Sequence, residues 1–234
     1  MLMHSPGSSP ADLADIGDPP ADRVTSFGPD QQVLDWMVDH RTETWTTVMK
    51  AITTLGNTLT LFLVALAVTV FFALRSQWRL ALFVGLGSAL GSLMMVTLKE
   101  LFSRDRPPMP ERLVELSTHS FPSGHAMSST VVYGLTAVAI YRWSPWVRGH
   151  LWVLLVAPLL ALSIGVTRVY LGAHWMTDVV AGWILGALFV AAATWMTFRT
   201  GPAERPDSLD AQRASADTPQ SSRTDPPPDP PDRS

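Results

Sequence analysis

The chain has 234 residues, of which 47% are hydrophobic and 16% charged, and it contains no cysteine. A formal net charge of -3 gives no basic footprint of the kind that nucleic-acid binding requires. The lack of cysteine excludes disulfide scaffolds, thiolate metal sites and cysteine nucleophiles.

Two polar segments flank the apolar part of the chain. Residues 1–30 and 201–234 together hold 13 of the 19 prolines and 12 of the 20 acidic residues. Such segments bury too little apolar surface to offset the entropy lost on ordering. We therefore expect a disordered N-terminal tail over 1–30, one folded domain over 31–200, and a disordered Pro/Asp-rich tail over 201–234.

The first predicted element of the domain is an amphipathic helix over about 31–56. Its apolar residues recur every three or four positions, in a stripe too narrow to span a bilayer. The pattern fits a helix lying at the membrane interface and equally a surface helix packed on the ends of a bundle.

Five apolar segments of about membrane-spanning length follow, since roughly 20 helical residues cross the hydrocarbon core. They cover about 58–74, 80–98, 126–141, 151–166 and 179–198. Glycine pairs spaced by four, Gly87 with Gly91 and Gly182 with Gly186, predict close helix packing. Five such segments predict an all-α fold, a polytopic transmembrane helical bundle of about five spans plus the interfacial amphipathic helix.

Charged loops indicate the orientation of this bundle. The loops at 75–79 and 142–148 hold four arginines and no acid, namely Arg75, Arg79, Arg142 and Arg148. The opposite side mixes basic residues with acids, and several of those basic residues belong to the motifs described next. Counting the first set as the topological signal predicts a multi-pass cell-membrane protein whose functional side faces away from the cytoplasm.

Three loops on that side carry ionisable residues beside the spans. Lys99 and Arg106 are seven apart, near two helical turns, so we expect both along one face of a helix that Pro107 ends. In the second loop, Ser123 and Gly124 are expected to open a helix whose free N–H groups form an anion site, followed by His125.

The third loop holds Arg168, then His174, then Asp178 four residues later, a spacing that predicts hydrogen bonding on one helix face. Singly, these residues fit snorkelling cations, a cap-side histidine, and a structural pair or half a metal site. Together, three cations, a helix N-terminus and two histidines on one side suit capture of a phosphate dianion and phosphoryl transfer.

The three motifs, Lys99-x6-Arg106-Pro107, Pro122-Ser123-Gly124-His125 and Arg168-x5-His174-x3-Asp178, resemble those of the type 2 phosphatidic acid phosphatase family. That family also includes vanadium haloperoxidases and soluble bacterial acid phosphatases. The resemblance covers about residues 31–198, and the tails lie outside it. Access to the site between membrane spans suits the lipid phosphatase branch.

The resemblance implies a role for each motif residue. His174 would attack phosphorus to give a phosphohistidine, and Asp178 would hold its other ring N–H. His125 would protonate the leaving oxygen and later activate water. The equatorial phosphate oxygens would be bound by five groups, namely Lys99, Arg106, Ser123, Gly124 and Arg168. The scheme needs no metal and no cofactor.

Two departures from the family pattern accompany the resemblance. Thr167 stands where the family usually has serine before the third-motif arginine, which keeps a hydroxyl. Family members in membranes typically have six spans, and residues 1–30 cannot supply the first, so either that span is absent or the start of the chain is misassigned. With five spans, we expect the N-terminus on the active-site side and the C-terminal tail in the cytoplasm.

The sequence therefore predicts a metal-independent lipid phosphate or diphosphate phosphatase that binds a membrane lipid and no nucleic acid. Phosphatidic acid, phosphatidylglycerophosphate and undecaprenyl diphosphate are all candidate substrates. Transfer of the phosphoryl group to another acceptor, and non-catalytic binding or transport of a lipid phosphate, are the alternatives. Intact His125, His174 and Asp178 weigh against the last, since binding alone needs neither a nucleophile nor an acid.

Overall fold

A computed structural model describes residues 28–108, 112–114 and 118–199, and these residues form helices and loops with no strand. The helices are α1 Gly28–Asp39, α2 Glu43–Thr54, α3 Thr58–Leu74, α4 Trp78–Phe102, α5 Gly124–Trp143, α6 Pro145–Gly149, α7 Val156–Tyr170 and α8 Met176–Phe198. A 3-10 segment over Leu151–Leu155 leads into α7. The predicted all-α class is confirmed.

The predicted spans correspond to helices at nearly the predicted places. Within the described part of the chain, three segments are long and apolar enough to cross a membrane, namely Trp78–Phe102, Leu151–Tyr170 and Met176–Phe198. The pair α2 and α3, bent by 42°, would make a fourth if it forms one broken span. The count of five spans stays a prediction.

The region predicted as one amphipathic helix over 31–56 contains two helices. Helix α1 ends at Asp39, and Thr42 caps α2 by accepting a hydrogen bond from the Trp45 backbone N–H at 3.3 Å. Arg41, inside the break, donates through Nη2 to the carbonyl of Tyr170 at 2.7 Å. Both helices contact α7. The placement of these helices, at the membrane interface or on the end of the bundle, stays a prediction.

The N-terminal helix begins inside the segment predicted as a tail. Asp30 lies in the first turn of α1 and is fully buried, and its carboxylate accepts hydrogen bonds from Arg104 and Thr177. Residues 1–27 of the predicted N-terminal tail lie outside the described residues. So do residue 200, the last of the predicted domain, and the whole predicted C-terminal tail, 201–234.

Both glycine pairs are placed at close helix contacts, as predicted. A Cβ on Gly87 or Gly91 would come within 2.8 Å of Leu135 or Val131 on α5. On α8, a Cβ on Gly182 would lie 3.0 Å from the Ser123 carbonyl oxygen at the start of α5. Glycine therefore lets α4 and α8 approach α5 closely, and α8 does so beside the predicted anion site.

Candidate active site

The predicted site residues converge at one end of the bundle. Lys99 lies in the last turn of α4, Arg168 in the last turn of α7, and Asp178 in the first turn of α8. A Cβ on Gly124, the first residue of α5, would lie 3.6 Å from Lys99 Cε. The Ala173 and His174 backbone N–H groups donate to the Arg168 carbonyl, which ties the third motif together.

Arg106 reaches this site from a loop, so the prediction that it shares a helix face with Lys99 is wrong. Helix α4 ends at Phe102, and Ser103 adopts the left-handed conformation with φ 43°. The end of α4 is therefore set by a turn, four residues before Pro107. The loop turns Arg106 back over the site, where its Nη1 donates to the Ala173 carbonyl at 2.6 Å and lies 3.2 Å from His174 Nε2.

His174 and Asp178 do not share a helix, because α8 begins at Met176 and His174 lies in the preceding turn. His174 Nδ1 is 3.6 Å from Asp178 Oδ2, longer than a hydrogen bond. Ser120 joins the two: its hydroxyl donates to Asp178 Oδ2 at 2.5 Å and lies 3.4 Å from His174 Nδ1. The predicted direct hydrogen bond is therefore not formed, and the Ser120 hydroxyl contacts both side chains instead.

His174 is held as a neutral imidazole. Burial lowers its pKa to about 3, and although the Asp178 carboxylate opposes this shift, nearby Arg106 reinforces it. An arginine nitrogen can only donate, so the contact from Arg106 requires a lone pair on Nε2. The ring proton is then on Nδ1, facing Ser120 and Asp178. This is the tautomer in which Nε2 is nucleophilic.

Asp178 is fixed by a network that the sequence motifs did not indicate. Arg104 donates through Nη1 to Asp178 Oδ1 at 2.6 Å and through Nη2 to Asp30 Oδ2 at 2.8 Å. Thr177 donates its backbone N–H and its hydroxyl to Asp30. The only sequence signal was the charge of Arg104 between two motif residues, since Asp30 lay in a segment predicted as disordered.

Two buried polar atoms in the cluster have no hydrogen-bond partner among the described residues, namely Ser123 Oγ and Arg168 Nε. Ser123 occupies the N-cap position of α5, as predicted, but its side chain makes no capping hydrogen bond. Its hydroxyl and the N–H groups of the first turn of α5 are then available to an anion. Arg168 Nη1 donates to Thr53 Oγ1 at 2.8 Å, which fixes the guanidinium.

The candidate site is rich in positively charged side chains. Lys99 is buried, and its ammonium donates to the His119 carbonyl at 2.6 Å. Burial lowers the pKa of Arg106 to about 10, Asp178 opposes the shift and Arg112 adds to it. The Arg106 guanidinium therefore stays cationic at neutral pH. With Arg168, three cations and an unpartnered hydroxyl provide donors for a phosphate dianion.

His125, the second residue of α5, contacts the segment that joins α2 and α3. Its Nε2 is 3.0 Å from Asn57 Oδ1, at the junction of α2 and α3. Asn57 was not indicated by any motif. Thr167, the departure from the family pattern, donates its hydroxyl to the Ile164 carbonyl within α7 at 2.6 Å. In the described ranges, no group of three or more His, Asp or Glu side chains is placed to hold a metal ion.

Comparison with known proteins identifies the family and related lipid phosphatases. A family model for the PAP2 superfamily matches residues 78–202. The chain is 37% identical over 145 residues to phosphatidylglycerophosphatase B of Bacillus subtilis (strain 168), covering 60% of this chain and 70% of that protein. It is 37% identical over 122 residues to decaprenylphosphoryl-5-phosphoribose phosphatase of Mycolicibacterium smegmatis, covering 51% and 61%. It is 31% identical over 97 residues to undecaprenyl-diphosphatase of Sulfolobus acidocaldarius, covering 39% of each chain.

Two solved structures match the fold of this chain. The crystal structure of a transmembrane PAP2-type phosphatidylglycerolphosphate phosphatase from Bacillus subtilis matches with a TM-score of 0.70 at 30% identity, covering 74% of this chain and 87% of that one. Aquifex aeolicus LpxE matches with a TM-score of 0.58 at 20% identity, covering 73% and 98%, which shows a shared fold.

Proposed function

The chain belongs to the PAP2 superfamily and is a lipid phosphatase of the membrane, and from that premise we propose that it hydrolyses its substrate through a phosphohistidine formed on His174. The observation that carries the proposal is the contact between Arg106 Nη1 and His174 Nε2 at 3.2 Å. It identifies the lone pair of a buried, neutral imidazole at the centre of a cationic cluster. A phosphate bound by that cluster meets a nucleophile in its reactive tautomer.

The reaction has two steps. His174 Nε2 attacks phosphorus, the P–O bond to the lipid breaks, and His125 donates a proton to the leaving oxygen. Water then attacks the phosphohistidine, His125 accepts its proton, the P–N bond breaks and inorganic phosphate leaves. Asp178 stabilises the Nδ1–H of His174 as positive charge develops on the ring.

The remaining site residues bind the transferring phosphoryl group. Lys99, Arg106 and Arg168 neutralise its equatorial oxygens, and Ser123 Oγ and the Gly124 backbone N–H add hydrogen bonds. The unpartnered Ser123 Oγ and Arg168 Nε support this assignment, because a buried donor without an acceptor is costly unless a ligand satisfies it.

The substrate class is a lipid phosphate or diphosphate, with phosphatidic acid, phosphatidylglycerophosphate and undecaprenyl diphosphate as the candidates. The test is phosphate release from each of these by the purified full-length chain in detergent. His174→Ala should abolish release on every substrate, whereas His150→Ala, at the far end of the bundle, should leave it unchanged. A His174→Ala variant with normal turnover would exclude the mechanism, and binding without release by the wild type would indicate a non-catalytic binding protein.

The site is proposed to face away from the cytoplasm in a multi-pass cell-membrane protein. The opposite end of the helices carries Arg75, Arg79, Arg142 and Arg148, which favours that end as cytoplasmic. Because the chain has no cysteine, single cysteines can report topology. A membrane-impermeant maleimide should label Pro108→Cys in intact cells and label Gln77→Cys only after lysis. The reverse pattern would overturn the orientation.

A further inference from the structure

The elbow between α2 and α3, residues Leu55, Gly56 and Asn57, is packed against the active site. Tyr133 on α5 donates its hydroxyl to the Leu55 carbonyl at 2.8 Å. A Cβ on Gly56 would lie 2.5 Å from Ile164 Cγ2 and 3.0 Å from His125 Cδ2. Only glycine lets the elbow approach the His125 ring this closely, so its backbone is fixed beside that residue.

Asn57 occupies the N-cap position of α3, and its side chain does not cap the helix. Asparagine is among the residues most favoured at this position, because its side-chain oxygen normally accepts an N–H from the first turn. Here Oδ1 is instead 3.0 Å from His125 Nε2. The local preference of the residue is thus given up for a contact with a residue 68 positions away.

The chemistry of this contact determines which nitrogen of His125 exchanges protons. An amide oxygen only accepts, so Asn57 Oδ1 requires a hydrogen on His125 Nε2. The proton that moves during catalysis must then be carried by Nδ1. A general acid contributes only when its proton points at the leaving oxygen, and an error of about 1 Å in position can cost on the order of 100-fold in rate.

We propose that Asn57 is a positioning residue that holds Nε2 of His125 protonated and directs Nδ1 to the leaving oxygen. The inference rests on the proposed function, in which His125 is the acid. The bound phosphate dianion favours the protonated His125 ring, and in the first step its Nδ1–H passes to the departing alkoxide as the P–O bond breaks. In the second step Nδ1 takes a proton from the attacking water. Throughout, the Nε2–H stays on His125 and donates to Asn57 Oδ1.

The experiment compares two substrates that differ in their need for an acid. Phosphatidic acid releases an alkoxide-type oxygen that must be protonated, whereas p-nitrophenyl phosphate releases a stable phenolate. The measured quantity is kcat/KM, which reports the first phosphoryl transfer and not the later hydrolysis. Asn57→Leu should lower kcat/KM about 10- to 100-fold on phosphatidic acid and only about 3-fold or less on p-nitrophenyl phosphate.

Two further variants separate positioning from helix capping. Asn57→Ser keeps a capping hydroxyl but is too short to reach His125, so it should show the same substrate-selective loss with an unchanged thermal unfolding midpoint. Asn57→Asp keeps an oxygen acceptor for Nε2–H and should restore most of the activity on phosphatidic acid. Equal losses on both substrates, or full activity of the Ser variant, would overturn the inference.

His125→Ala in the same assay distinguishes the inference from its premise. A selective loss on phosphatidic acid confirms His125 as the acid, and Asn57 variants without that selectivity then refute the inference alone. If His125→Ala loses activity equally on both substrates, the acid assignment in the proposed function fails, and the role of Asn57 fails with it.

Discussion

Replacing Arg104 by methionine removes a cation that contacts two buried carboxylates at once. Arg104 lies 2.6 Å from Asp178 Oδ1 and 2.8 Å from Asp30 Oδ2, and both acids have fully buried side chains. Removing one partner of a buried ion pair costs about 3–5 kcal/mol, because the other charge is left without compensation. A chain of this size loses about 2–4 °C of unfolding midpoint per kcal/mol. We therefore expect Arg104→Met to lower the midpoint by about 6–20 °C.

The assay is thermal unfolding of the purified chain in detergent, with Lys50→Met as the control for loss of an exposed cation. Lys50 is exposed on α2, so its replacement should shift the midpoint by no more than about 2 °C. Adding Asp30→Asn to Arg104→Met removes one of the two uncompensated charges and should recover part of the loss, since the amide oxygen still accepts from Thr177. A midpoint unchanged in Arg104→Met, or lower still in the double variant, would refute the reasoning.

Three other outcomes are expected. Gly182→Ala places a Cβ 3.0 Å from the Ser123 carbonyl oxygen and should destabilise the protein by about 1–3 kcal/mol through overpacking. In the same thermal unfolding assay Gly149→Ala should be neutral, because its Cβ meets nothing within 4 Å. Burial lowers the pKa of His174 to about 3, so its imidazole NMR signal should not titrate between pH 8 and 5. The signal is identified by its loss in His174→Ala, and an inflection near the usual histidine pKa would contradict the neutral assignment. Since protein cations neutralise the phosphate, EDTA should leave activity intact and vanadate, which mimics pentacoordinate phosphorus, should inhibit; loss of activity on chelation would count against the scheme.

The helical segments could be predicted closely from the sequence. The apolar segment at 58–74 has the same bounds as α3, and the start of α5 at Gly124 follows the predicted N-cap at Ser123. These features depend on local patterns of apolar and capping residues. The motif residues also converge as predicted, because each lies beside the end of a membrane helix on the same side.

The geometry within the site depended on contacts that local patterns do not contain. The seven-residue spacing of Lys99 and Arg106 suggested one helix, but a left-handed residue at 103 ends α4 first. The spacing of His174 and Asp178 implied a hydrogen bond only if both were helical, and the turn before α8 places His174 outside the helix. Asp30 meets Thr177 across 147 positions, a separation at which no periodicity gives a signal.

Direct trapping of the phosphoenzyme tests the nucleophilic role of His174. The purified chain would be mixed with radiolabelled p-nitrophenyl phosphate, quenched rapidly in alkali, and the labelled residue identified by mass spectrometry. We expect an acid-labile, alkali-stable phosphate on His174, and more of it in His125→Ala, because that variant lacks the base that activates water while this substrate needs no acid. A label absent from both proteins, or one retained after His174→Ala, would contradict the phosphohistidine mechanism.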